Sequence, residues 1–163
     1  MAKEIELTNG GIAVVDDSDF ERASQHSWRH RRSGKTTYAV TTVGEWRQPR
    51  TLYLHRFIKY GLEDVGQPLI DHHNRNGLDC QKQNLRPATK SLNMANAEKC
   101  SKATLSRFKG VTFDRVNRKW IAQIKAAGKR IFLGRFKEEI EAAAAYKTES
   151  ERLFGEFAYA AHA

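Results

Sequence analysis

The sequence predicts an α+β chain in two parts, and three observations predict it. Residues 4–60 carry short alternating strand patterns broken by turn residues. Leu69 to Asn96 then reads strand, Gly-containing loop, strand, helix. After a stretch at 98–107 that loses its apolar pattern, the chain from Phe108 reads as three strands and one helix. The expected organisation is a β-rich leader and strand–strand–helix core over 1–97, with the core at 69–97. A basic linker over 98–107 and a small sheet-and-helix domain over 108–161 complete it.

Taken in order, Ile5 and Leu7, the Asn9-Gly10-Gly11 turn and Ile12 to Val15 form a hairpin. Ser18 with Glu21 three residues later is a capping box, opening a short helix over Asp19 to about Gln25. Arg29 to Lys35 reads as a basic loop after Trp28. Thr36–Val43 and Arg50–Leu54 are strands, rich in β-branched and aromatic residues. His55 to Tyr60 makes a short helix stopped by Gly61. Thr89, a good N-cap residue, opens the helix that carries Asn93 and Asn96.

Charge narrows the partners. The chain holds 28 Lys and Arg against 19 Asp and Glu, a formal +9. Between Lys99 and Lys137 there are 12 basic residues and one acid, Asp114. Such a block attracts a polyanion, since each neutralised phosphate releases a condensed counterion. Cys80 and Cys100 stand alone, so neither a zinc knuckle nor a disulfide framework is indicated. No apolar run approaches membrane-spanning length, and the start lacks the apolar core of a signal peptide. The expectation is a cytoplasmic protein with no membrane partner.

The chemistry concentrates in LIDHHNRNGLDCQKQNLRPATKSLNMAN, residues 69–96. Asp71 offers a hard oxygen and Asn93 an amide oxygen, a donor pair suited to Mg²⁺ or Mn²⁺ holding several waters. A neighbouring neutral imidazole suits a general base for water. Strict strand alternation puts Asp71 and His73 on one face and His72 on the other. The ordered set D-H-x-N-x-N-G-L-D-x-x-x-x-N-L-R-x-x-T-x-x-x-N-x-x-N resembles the HNH nuclease motif of homing endonucleases, in the variant ending in Asn. The resemblance implies a ββα-metal core in which Asp71 and Asn93 hold the metal and His72 activates the water. It also implies that Asn84, the middle letter, braces the loop between the strands, and that Asp71 and His72 turn inward together at a distorted strand end. His73, at a position usually apolar in that family, stays open as a sharer or replacement of the base. Leu54-His55-Arg56 fits the family's β-rich leader, where this pair packs under the site or touches a phosphate.

In the second unit, Trp120, Ala122 and Ile124 alternate with Ile121, Gln123 and Lys125, and Ile131 and Leu133 with Arg130 and Phe132. Each strand thus has one apolar face and one polar face. A helix from about Glu138 to Phe154 covers the apolar side, its Ala142 to Ala145 run allowing close approach and Gly155 ending it. KGV, W-x-A-x-I, LGRF, EAAAAY and LFGEFA make Phe108 to Tyr159 similar to the APETALA2/ethylene-response-factor DNA-binding domain. That resemblance implies that Lys109, Gln123, Lys125 and Arg130 face DNA, while Thr112, Asp114 and Phe132 depart from the plant pattern. The surrounding cations Arg115, Arg118, Lys119, Lys129 and Arg135, with Lys99, Lys102 and Arg107 on the linker, complete the expected double-stranded DNA contacts.

The combined expectation is a phage-type HNH homing endonuclease in a bacterial or phage-infected cell, monomeric on DNA. The linker, held extended along phosphates, would set the distance from footprint to cut. A DNA-binding regulator with a relic HNH part, and an RNA-directed or structure-selective nuclease, are the rival readings.

Overall fold

The computed structural model describes residues 1–99 and 105–159. It is a mixed α+β structure of small antiparallel sheets and four helices. Two compact units divide it, Met1–Thr89 and Lys90–Ala163. No described helix is long and apolar enough to cross a membrane.

The first unit opens on a hairpin of β1 (Ala2–Glu6) and β2 (Ile12–Asp16), turned at Gly10 and Gly11, both at φ +90°. Helix α1 (Asp17–Ser24) follows without a break. The Ser18 capping box is therefore corrected: the helix starts earlier, with Asp16 at the N-cap and no side-chain cap bond. The Asp16 carboxylate instead accepts from the Lys82 backbone N–H at 2.7 Å. Residues expected as a basic loop form strand β3 (Arg29–Ser33), because they pair in full register with β4 (Thr36–Val43). Every residue of β3 is exposed, as suits charged side chains on a sheet edge. Strand β5 (Arg50–Tyr53) pairs on the other side of β4, and helix α2 (Leu54–Tyr60) ends at Gly61 with φ 64°.

Arg50 and Arg56 both grip Asp64, and Arg56 also donates to the Pro68 carbonyl at 3.1 Å. Arg56 is thereby placed as a structural clamp between α2 and the 61–68 loop. Strands β6 (Leu69–His72) and β7 (Leu85–Ala88) then pair as an antiparallel ribbon. Ile70 and Leu85 join Val15, Trp28, Leu52, Leu54 and Phe57 in one apolar core.

The second unit begins with α3 (Lys90–Asn96), directly after Thr89. The boundary lies before this helix rather than after it, for an identifiable reason. The Lys109 ammonium donates to the carbonyls of Met94, Ala95 and Ala97 at 2.8, 2.7 and 2.6 Å, binding the end of α3 to this unit. A cation on the last carbonyls of a helix satisfies both hydrogen bonding and the helix dipole. Strands β8 (Val111–Asp114), β9 (Lys119–Ala126) and β10 (Lys129–Phe136) form an antiparallel sheet backed by α4 (Glu139–Phe154). Val111, Ala122 and Ala142 pack at its centre. Gly110 (φ +72°) has no room for a side chain, since a Cβ there would meet the Tyr146 ring at 2.0 Å.

At the near end of the expected linker, Lys99 Nζ donates to the Ser106 carbonyl at 2.6 Å. Glu139 holds the far end, accepting from Ser106 Oγ at 2.7 Å and from the Arg107 N–H at 3.1 Å.

Candidate active site

The β6–β7 ribbon carries Asp71 and His72. Its ladder stays regular to the end, with Asp71 opposite Arg86 and His72 opposite Leu85. Regular pairing, rather than a distorted strand end, therefore sets Asp71 on the face of Arg86 and His72 on the face of Ile70 and Leu85. Both are nevertheless buried, at 4% and 5% exposure. His73 falls beyond the strand and is exposed, its backbone N–H donating to the Asn84 carbonyl at 2.8 Å.

The loop that returns the chain from His73 to β7 is fixed from within and from behind. Asn84, buried, accepts from the Asn74 N–H at 2.9 Å through Oδ1 and donates to the Asp79 carbonyl at 2.7 Å through Nδ2. Both side-chain partners of Asn84 are backbone groups of the loop. Val14 clamps the loop from β2, donating to Leu78 O at 2.8 Å and accepting from Cys80 N at 2.7 Å. Gly77 is pressed against β4: a Cβ there would stand 2.4 Å from the Thr37 carbonyl oxygen. The glycine of N-G-L-D is thus required by close approach, its φ being ordinary.

His72 sits among rings. His55 lies edge-on to it with centroids 4.8 Å apart, and Tyr38 approaches both imidazoles at 5.8 and 5.6 Å. Tyr53 adds a further contact to His55 at 5.5 Å. Burial pushes the His72 imidazole down to about 4, with the Asp79 carboxylate pulling the other way. Burial, then the charges of His72 and Arg56, hold His55 well below the usual histidine range. Both are neutral at pH 7. The Nδ1 of His55 is buried and makes no hydrogen bond to another described residue.

Asp71 has a charged partner. Arg86 Nε donates to its Oδ2 at 2.9 Å, and Arg86 Nη2 lies 2.9 Å from the same oxygen. Sequence reasoning gave Arg86 no role, although aligning 69–72 against 85–88 as a hairpin puts the two residues opposite each other. Tyr38 was missed because nothing in a strand pattern marks which aromatic will meet a histidine thirty residues away.

Asp71 supplies a buried carboxylate oxygen, the donor type a hard cation takes, although Arg86 already holds positive charge against it. No group of three His, Cys, Asp or Glu side chains gathers as a metal cluster among the described residues. Asn93 stands on α3 in the second unit and is exposed, whereas Asn96 is buried.

The second unit presents its own candidate surface, the sheet face opposite α4. Register places Lys119, Ile121, Gln123 and Lys125 of β9 on it, with Thr112 and Asp114 of β8. From β10 it takes Arg130, Phe132 and Arg135. Simple alternation fails after Phe132, where a bulge at Gly134 (φ 142°) shifts the register and returns Arg135 to the face of Phe132. Phe132 is 56% exposed, with the Arg135 guanidinium 5.3 Å from its ring centre. Asp114 serves the β8–β9 turn, accepting from the Val116 and Asn117 N–H groups at 3.0 and 3.2 Å. Those bonds, led by the one from the Asn117 side chain, hold its carboxyl below the usual range.

The other expected DNA contacts divide. Lys109 and Lys99 have their ammonium groups on backbone carbonyls, Lys99 reaching Val111 as well as Ser106. Burial lowers the Lys99 ammonium below the usual lysine value. Arg107, Arg115, Arg118 and Lys129 are exposed, and Lys102, like Cys100, lies outside the described residues. Comparison with known proteins adds no name: no family model matches the chain, and no curated protein matches it.

Proposed function

We propose that the chain is a metal-dependent DNA endonuclease of the HNH homing type, with a cutting unit built on the β6–β7 ribbon and a gripping unit built on the open face of the β8–β10 sheet. The observation that carries the reading is a buried carboxylate, Asp71, and a buried neutral imidazole, His72, on consecutive residues of a ribbon whose return loop is braced by Asn84.

In this reading His72 removes a proton from the water that attacks phosphorus, and the 3′ oxygen leaves. Because burial opposes the imidazolium, His72 is a weak base in the resting protein. The phosphodiester anion acts on it in the same direction as Asp79, favouring the protonated form as the proton arrives. Asp71 would hold Mg²⁺ or Mn²⁺, with Asn93 as the amide-oxygen ligand on the strength of the resemblance alone. The ion's contribution when bound is to neutralise negative charge building on the phosphate and leaving oxygen.

Double-stranded DNA is the substrate class that the open sheet face suits. Four cations, Lys119, Lys125, Arg130 and Arg135, share that face, and its one acid, Asp114, caps a turn and lies 3.7 Å from Arg135. Incubation with supercoiled plasmid tests the reading. Nicked or linear product is expected with Mg²⁺ and none with EDTA; full cleavage in EDTA, or none under either condition, would contradict it.

A further inference from the structure

Asp71, the carboxylate assigned to the metal, already carries a cation. Arg86 stands directly across the ribbon, its side chain 13% exposed, donating from Nε to Oδ2 at 2.9 Å with Nη2 2.9 Å from the same oxygen. A buried carboxylate with a guanidinium on it is charge-compensated, and removing either partner alone leaves a buried charge. A divalent ion on the same carboxylate brings two further positive charges beside the guanidinium where solvent screening is weak. The two cations are rivals for one acid. Arginine also has a second natural acceptor here, since its fork matches the oxygens of a phosphodiester.

We propose that Arg86 is a positioning residue that competes with the divalent ion for Asp71, and that a DNA phosphate draws Arg86 away. Metal affinity is then low in the free protein and rises as substrate arrives, which limits cutting to occupied sites. This rests on the metal reading given above.

Mn²⁺ binding to the full chain, followed by loss of the free ion's paramagnetic resonance signal, separates the possibilities. Arg86→Met is expected to bind Mn²⁺ roughly tenfold more tightly than the unsubstituted chain, inside the usual range for coupled sites. Its thermal midpoint should also rise further on adding Mn²⁺. Plasmid cleavage should move the opposite way and fall, because the phosphate loses its guanidinium. A merely structural Arg86 would weaken both binding and cleavage. Arg86→Lys keeps the charge without the fork and should bind Mn²⁺ with intermediate affinity, which serves if Arg86→Met does not fold. Unchanged or weaker Mn²⁺ affinity in the folded Arg86 variants, with Asp71→Asn abolishing binding, overturns the competition and leaves the metal site standing. Mn²⁺ binding that Asp71→Asn does not alter overturns the metal site and the competition together.

Discussion

Asp71 and Lys125 illustrate opposite electrostatic settings within one chain. Asp71 is buried and paired with Arg86 across a ribbon, and the next residue, His72, is an imidazole that burial keeps neutral. Lys125 is exposed on an open sheet face with Lys119, Arg130 and Arg135. In the first setting, removing water makes each charge and each proton consequential, since interactions strengthen as the effective dielectric falls. In the second, solvent weakens each contact, and affinity comes from their number and from counterion release. On the proposed reading, the difference separates two activities: chemistry at the ribbon and grip on the sheet.

The largest effect that would sharpen this contrast is on turnover. His72→Ala should reduce plasmid cleavage by about a hundredfold to ten-thousandfold while changing DNA affinity only a few-fold, as loss of a general base does. His73→Ala should retain activity, its side chain being exposed beyond the strand. The reverse pattern would transfer the base to His73.

Stability of the ribbon comes next. Asn84→Ala leaves the Asn74 N–H and the Asp79 carbonyl without their partner and should destabilise the first unit by about 1–3 kcal/mol in urea unfolding. Gly77→Ala forces a Cβ against backbone and should cost about as much. Unchanged midpoints would show that the loop is not held as described.

On the gripping side, about four phosphate contacts give a slope near −4 for log affinity against log salt. Lys125→Gln with Arg130→Gln should bring it to about −2, uniformly across DNA sequences. A slope indifferent to the pair would return these cations to a merely solvated face.

The smallest effect is on acid stability. The folded-state affinity of His55 for a proton is depressed by burial, so the unfolded chain takes up the proton first as pH falls. Its contribution is fully present above the ordinary histidine value of 6.5 and is lost progressively below it. The urea midpoint should therefore decline below about pH 6.5, and His55→Phe should flatten part of that decline, the rest belonging to His72, which burial depresses in the same direction. A midpoint independent of pH through this window would mean that His55 is not buried neutral.

Much of this was legible in the residues. Periodicity gave the strands at Thr36–Val43 and Lys119–Ala126 and the helix ending at Gly155, because alternation and glycine placement are local signals. What local signals misplace is whatever a distant partner decides. Arg29–Ser33 reads as loop until β4 supplies its ladder. Lys109 reads as a DNA contact, and its ammonium is held by two carbonyls of α3 and by that of Ala97 just beyond it. Lys99 reads as a linker cation, and its ammonium is taken up by the Ser106 carbonyl. At the site, the motif marked Asp71, His72 and Asn84, and the leader pattern marked His55, but the ring neighbour Tyr38 and the counter-ion Arg86 depend on tertiary packing and strand register.

The division between cutting and gripping is tested most directly by single-turnover plasmid cleavage with Mg²⁺ as protein is raised to saturation. The Lys125→Gln, Arg130→Gln chain should need more protein to reach half-maximal rate yet arrive at the same plateau as the unsubstituted chain. His72→Ala should saturate at the original concentration with a plateau lower by about a hundredfold or more. A plateau that falls as far in the double variant as in His72→Ala would contradict the division, placing the sheet's cations in the chemical step.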